Sequence, residues 1–169
     1  MEEGQKGVSF CGIVIEKLPN GYFIHQKPYV KELLKKHHLE DCNATKIILD
    51  RETDDEDRKE EQEQQEEWYQ NWVTTDDFKR KVREAQKIAG EILWLTTRTR
   101  PDLCFSIQKM CSLATKNPVK SVQYGMRMLR YLKGTEDFGL KYLNKEDTIN
   151  KHEEFKVTGR RKYLMKEEQ

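Results

Sequence analysis

The feature that most restricts this chain is the segment of residues 50–67, DRETDDEDRKEEQEQQEE. It sets eleven acids against three bases, a net −8, and holds no large apolar side chain. Such a segment cannot bury enough surface to offset the entropy of ordering it. It is expected to be a solvated, disordered linker, or else an acidic mimic of nucleic acid lying over a basic surface. Because the whole chain of 169 residues carries +1, everything outside this segment carries about +9. The polypeptide therefore has to fold as an N-terminal piece, roughly residues 1–48, and a C-terminal piece, roughly 72–143. Residues 144–169 alternate in charge with little periodicity and read as a loose tail. Charged and hydrophobic residues each make up 36% of the chain, so the core must be small. No apolar run approaches the roughly 18 residues that a membrane-spanning helix needs, and residues 1–6 lack the apolar stretch of a secretory signal. Cys11, Cys42, Cys104 and Cys111 form no Cys-x-x-Cys pair. They read as reduced thiols of an intracellular, cytoplasmic or nuclear protein, packed as small hydrophobes.

Residues 8–17 (VSFCGIVIEK) are rich in β-formers. Pro19-Asn20-Gly21 suits a tight turn, and residues 22–25 (YFIH) read as the returning strand of a β-hairpin. Pro28 opens a helix, with Val30, Leu33, Leu34 and His37 on one face. His37 and His38 are adjacent and point about 100° apart, so they read as exposed or capping residues. Asp76 or Asp77 suits the cap of a second helix, whose apolar stripe is Phe78, Val82, Ala85, Ala89, Ile92 and Leu93. Its opposite stripe is Arg83, Gln86, Gly90, Trp94 and Thr97. A glycine inside a helix costs about 1 kcal/mol relative to alanine. Something should therefore approach the backbone at Gly90, either a neighbouring helix or a ligand. Pro101 ends this helix and opens another, with Leu103, Ile107, Met110, Cys111 and Ala114 on one side. Asn117-Pro118 begins a further helix carrying Val119, Val122, Met126, Leu129 and Leu132. Gly134 is its expected stop. Arg127, Arg130 and Lys133 form a basic stripe, either a solvated face or a phosphate contact. Residues 138–143 (FGLKYL) read as a strand without a visible partner.

In order along the chain, the strings Phe10-Cys11-Gly12-Ile13-Val14, Gln86-Lys87-Ile88-Ala89-Gly90-Glu91-Ile92-Leu93-Trp94, Thr99-Arg100-Pro101-Asp102 and Arg130-Tyr131-Leu132-Lys133-Gly134-Thr135 resemble the Pol polyprotein of copia-type LTR retrotransposons. The resemblance covers about residues 8–143. It runs from the end of the reverse-transcriptase palm through the thumb to the threshold of RNase H. It implies an α+β fold, mostly α: a primer-grip-like β-hairpin plus helix (8–48), the acidic linker (49–71), a thumb-like helical bundle (72–135), a strand leading toward RNase H (136–143) and a charged tail (144–169). It implies that Phe10, Gly12 and Ile13 position a primer end. Gln86, Gly90 and Trp94 match in type and spacing the thumb stripe that enters the minor groove of the template–primer. Arg83, Arg127 and Arg130 are the candidate phosphate contacts.

The family polymerises with Mg²⁺ held by palm aspartates of a Tyr-x-Asp-Asp loop and an earlier strand. No such motif occurs here. Asp54-Asp55 and Asp76-Asp77 lie in an acidic run and at a helix start, without flanking apolar strands. The spaced carboxylates of RNase H are also missing. The expected partners are an RNA/DNA template–primer duplex and the palm and RNase H portions of a parent polyprotein, with no catalytic residue, metal site or cofactor in this chain and no membrane. The rival expectations are a non-enzymatic helical module that docks a protein through the stripes of its last two helices, and a non-functional relic.

Overall fold

The computed structural model describes residues 7–46 and 67–144; the acidic segment 50–66 and the tail from 145 lie outside the described residues. The described chain is mostly helical with one four-stranded sheet, the α+β class expected from the sequence. Its strands are β1 (Val8–Phe10), β2 (Ile13–Leu18), β3 (Gly21–His25) and β4 (Gly139–Leu143), hydrogen-bonded in that order. Its helices are α1 (Lys27–Lys36), α2 (Glu67–Val73), α3 (Asp76–Thr96), α4 (Cys104–Leu113) and α5 (Pro118–Gly134), with a 3-10 turn at Pro101–Leu103. Two compact units result, one up to Ile24 and from Leu140 onward, the other His25–Gly139. The helix that follows the hairpin therefore belongs with the bundle.

In the strand unit, residues 8–17 are two strands and not the one expected. Cys11 (φ 51°) and Gly12 (φ 76°) turn the chain between β1 and β2, with Phe10 paired to Ile13 and Val8 to Ile15. Two successive positive φ angles characterise a type I′ hairpin turn. Glycine supplies the second without strain, and Cys11 takes a conformation uncommon for a side-chain-bearing residue. The terminal strand expected to lack a partner lies beside β3. Gly21 is what permits the approach: a Cβ there would stand 1.9 Å from the carbonyl oxygen of Tyr142.

The bundle forms because α1, α3, α4 and α5 each bring one apolar face to a common core. Val30, Leu33 and Leu34 meet Ile88, Ile92, Leu95, Leu103, Ile107, Met110, Met128, Leu129 and Leu132 there. The faces are rotated slightly from those expected. Ile88 and Leu95 are buried where Leu93 was expected, and Tyr124 and Met128 are buried while Val119 is 41% exposed. Cys11, Cys104 and Cys111 are exposed and so do not pack as core hydrophobes. The α3 cap is Thr75, whose hydroxyl accepts from Phe78 N at 3.2 Å; Asp76 and Asp77 occupy the first turn, where they complement the helix dipole. Asn117 caps α5 as expected, accepting from Lys120 N at 3.1 Å. The chain leaves α5 at Thr135, one residue after Gly134. Residues 67–71, placed in the linker by composition, belong to α2. Trp72 packs edge-on against Phe78 with ring centroids 4.9 Å apart.

Two histidines end α1. His38 adopts a left-handed φ of 55°, His38 N donates to Lys35 O, and Leu39 N donates to Leu34 O. That is a Schellman closure with buried Leu39 against Leu34.

A buried guanidinium holds the other end of the bundle together. Arg100 is 1% exposed. It donates through Nε and Nη2 to the two carboxylate oxygens of Asp102 (3.0 and 2.8 Å). It also donates to the carbonyl and hydroxyl oxygens of Thr135 (3.0 and 2.8 Å). Its guanidinium lies over the rings of Tyr131 and Phe138, and Tyr131 donates its hydroxyl to Asp102 at 3.1 Å. Burial first, and the Asp102 carboxylate second, push the Tyr131 hydroxyl above its usual pKa. Thus the Thr-Arg-Pro-Asp and Arg-Tyr-Leu-Lys-Gly-Thr strings meet in space. They tie the corner after α3 to the end of α5.

Candidate nucleic-acid interface

Helix α3 runs 21 residues, from Asp76 to Thr96, and only one side of it is used for packing. On the packed side, Ala85, Ile88, Ala89, Ile92 and Leu95 are buried. On the opposite side Arg83, Gln86, Gly90 and Thr97 are exposed and Trp94 is half-buried. These are the residues of the unusual stripe in the sequence, and the helix brings them to one open face. A Cβ built on Gly90 meets no atom within 4 Å. Close helix packing is therefore not the reason for this glycine. The glycine that does serve packing is Gly125 of α5: a Cβ there would stand 2.6 Å from Ile88 Cγ2 and 2.9 Å from Met110 Cε. Sequence reading missed it, since a glycine among Tyr124, Met126 and Met128 carries no local mark of its neighbours.

The charges of α3 divide along its length. Near its start Lys79 pairs with Asp76 (3.1 Å), Arg80 with Asp77, and Lys81 with Glu84 (2.9 Å). These pairs neutralise that end. Arg83 and Lys87 lie further along, and no carboxylate among the described residues pairs with them. At 100° per residue Lys87 shares the open face with Arg83, Gly90 and Trp94; sequence reading had not singled it out. The flank of the same helix carries Glu91, held by Nζ of Lys36 in α1 (2.5 Å) and Nε2 of His37, the residue that caps α1 (2.7 Å), while Tyr29 donates to its carbonyl oxygen (3.2 Å). Burial pushes the Glu91 carboxyl up, but the bonds from Lys36 and His37 outweigh it and hold the group below the usual carboxylate range. Glu91 is thereby tied to α1 and does not offer a free negative charge beside Gly90.

The other expected contacts are spread. Arg130 of α5 is exposed and Arg127 half-buried; Thr45 N donates to the Arg130 carbonyl oxygen at 3.3 Å. In the strand unit, Phe10 is 72% exposed, Gly12 sits at the tip of the hairpin and Ile13 is half-buried. As directly opposed residues, Phe10 and Ile13 share one face with the pair Val8 and Ile15. The expected primer-end residues are thus an exposed aromatic and its partner flanking a tight turn.

What the open α3 face can do chemically follows from its members. A glycine lets a polyanion backbone or sugar come close, an amide can donate and accept, an indole offers apolar contact, and cations set the charge. Among the described residues no group of three or more His, Cys, Asp or Glu side chains could hold a metal ion. No helix among them is long and apolar enough to cross a membrane.

In comparison with known proteins, the chain is 26% identical over 141 residues to the uncharacterized mitochondrial protein AtMg00810 of Arabidopsis thaliana. The match covers 83% of this chain and 51% of that protein, so the chain spans about half the length of that curated relative. No family model matches, and no solved structure matches.

Proposed function

We propose that this chain is retroelement-derived, a part of a copia-type reverse transcriptase, and that it grips the template–primer duplex without carrying out the chemistry. The observation that carries this reading is the open face of α3. Among the described residues nothing packs on Gly90, which lies between an exposed amide at Gln86 and an indole at Trp94 and is flanked by Arg83 and Lys87, cations that no described carboxylate pairs. A glycine that costs helix stability and gains nothing from packing is explained by a ligand that needs the backbone bare. An RNA–DNA duplex read by shape along its minor groove has that requirement. Phe10, Gly12 and Ile13 at the hairpin tip are the second contact, placed at a primer end. Arg127 and Arg130 are supporting phosphate contacts.

Polymerisation itself belongs to residues this sequence does not contain. The Mg²⁺-binding aspartate loop of the family has no counterpart among its carboxylates, so no catalytic step is assigned to this chain. Most of the apolar residues of α4 and α5 on which a protein-docking module would draw, among them Ile107, Met110, Leu129 and Leu132, are buried in the chain's own core, while Val119 and Cys111 remain exposed.

The test is anisotropy of a labelled primed RNA–DNA duplex titrated with the full chain from 50 to 200 mM salt. Binding should weaken steeply, by about 0.9 log units per neutralised phosphate for each tenfold rise in salt. Gly90→Ala and Trp94→Ala should each weaken it. No binding at 50 mM salt, or binding that ignores both substitutions, rejects the assignment of the α3 face.

A further inference from the structure

The open face of α3 does not stop where the helix stops. Thr97 closes the helix, with its N–H donating to Leu93 O, and Arg98 follows with its own N–H donating to Leu95 O at 3.2 Å. The backbone of Arg98 is therefore anchored. Its guanidinium carbon lies 4.7 Å from the centroid of the Trp94 ring, a cation–π distance. Arg98 is exposed and Trp94 half-buried.

Arg100, two residues on, shows what a committed arginine looks like in the same turn. All three of its guanidinium nitrogens donate to Asp102 or Thr135, and the rings of Tyr131 and Phe138 lie against it. Arg98 shares only the ring contact: among the described residues no carboxylate pairs with it. A cation–π contact is made through the charge of the guanidinium and consumes none of its N–H donors in a hydrogen bond. The side chain is thus pre-ordered by Trp94 while its hydrogen-bonding edge stays unspent. A planar fork of that kind fits a phosphate.

We propose that Arg98 is a phosphate-contact residue that extends the α3 face past the helix end, and that it also positions the Trp94 indole for the groove. The inference rests on the nucleic-acid reading of that face and adds to it a residue that the stripe of Gln86, Gly90 and Trp94 does not include. With Arg83 and Lys87 it makes three cations along one side of the helix, while the first turn is neutralised by its own carboxylates. One force opposes it: the carbonyl end of a helix repels anions. A residue serving only that helix end would also be an arginine, so the test has to separate the two roles.

The experiment uses the full chain, the primed RNA–DNA duplex and two variants, Arg98→Gln and Arg98→Lys, with affinity measured across salt. The Trp94 indole N–H resonance, assigned through Trp94→Phe, is followed in parallel. Arg98→Gln should weaken binding about tenfold, make the salt slope shallower by about one, and move the indole resonance. Arg98→Lys should keep the slope, because the charge remains, yet move the resonance and weaken binding less, because the planar fork over the indole is gone. If Arg98→Gln changes neither affinity nor slope while Trp94→Ala still weakens binding, Arg98 serves the helix end only; the inference is then wrong and the reading of the face survives. If it lowers the melting temperature without altering the slope, the inference is equally wrong. A wild-type chain that does not bind the duplex overturns both.

Discussion

Gly90 and Gly125 each sit inside a long helix, and an added methyl group would meet opposite surroundings at the two. At Gly125 it would press on Ile88 and Met110; at Gly90 it would meet open space. Gly125 is explained from within: it lets α5 approach α3 and α4 around the core. Nothing in the fold accounts for Gly90. The two faces of α3 differ in the same way, one filled with aliphatic side chains and the other holding an amide, an indole and cations that no carboxylate among the described residues pairs. A bundle needs the first face in order to exist. The second lowers helix propensity and returns no packing, so it points to something outside the bundle.

The largest expected effect concerns the latch that holds the packed side in register. Arg100→Ala removes both bonds to the Asp102 carboxylate, which keeps only that from Tyr131, and removes the tie to Thr135. It should cost about 3 kcal/mol in urea unfolding, the low end for a broken buried pair, because Asp102 keeps a third of its exposure. A loss below 1 kcal/mol would show that the α3 corner does not depend on it. Next comes Gly125→Ala, which overpacks the meeting of α3, α4 and α5 and should lower stability by about 1–3 kcal/mol. An unchanged melting temperature would erase the contrast between the two glycines.

A smaller effect is expected at the α1–α3 contact. The Glu91 carboxyl is held below its usual value of 4.5, so its contribution is fully present above that value and is lost as pH falls through the folded pKa. Lys36, raised above 10.5 first by the hydrogen bond it donates to Glu91 and then by that carboxylate's charge, contributes below that value and loses its share as pH rises through its folded pKa. Thermal melts between pH 3 and 6 should therefore show a wild-type decline that Glu91→Gln reduces, with a neutral-pH cost smaller than that of Gly125→Ala. Parallel declines in the two proteins would mean that other carboxylates govern acid unfolding. The smallest effect is of opposite sign: Gly90→Ala should stabilise the chain, by up to about 1 kcal/mol. A destabilised Gly90→Ala chain would place this glycine beside Gly125 and remove the observation on which the functional reading stands.

Much of the fold was legible before the structure. Asn117 announced a cap, Pro28 and Pro118 announced helix starts, and Asn20-Gly21 announced a turn, because each acts through bonds to residues a few positions away. The Cys11-Gly12 turn was hidden because cysteine rarely takes a positive φ, and the β-formers around it read as one strand. The burial of Ile88 and Leu95 over Leu93 was hidden too, since a shift of one residue turns a helix face by only 100° and several apolar stripes fit the same string.

For the candidate site, the pattern of Arg83, Gln86, Gly90 and Trp94 was in the sequence, and helical geometry alone put those residues on one side. Lys87 has the same period and was passed over, because a lysine on a helix is ordinarily unremarked surface. That Arg98 stacks on Trp94 while Arg100 is saturated could not be read from two arginines separated by a threonine.

By itself the sequence determined the charge segregation, the helix starts and the facing of the α3 stripe, for these follow from short-range sterics, capping bonds and a fixed helical period. Only the tertiary structure decided which glycine is filled and which is bare, which cations are already paired, and where the last strand finds its neighbour. Arg100 meets Thr135 across 35 residues and Gln26 meets Thr99 across 73. Such contacts depend on which element arrives opposite, and no local rule contains that information.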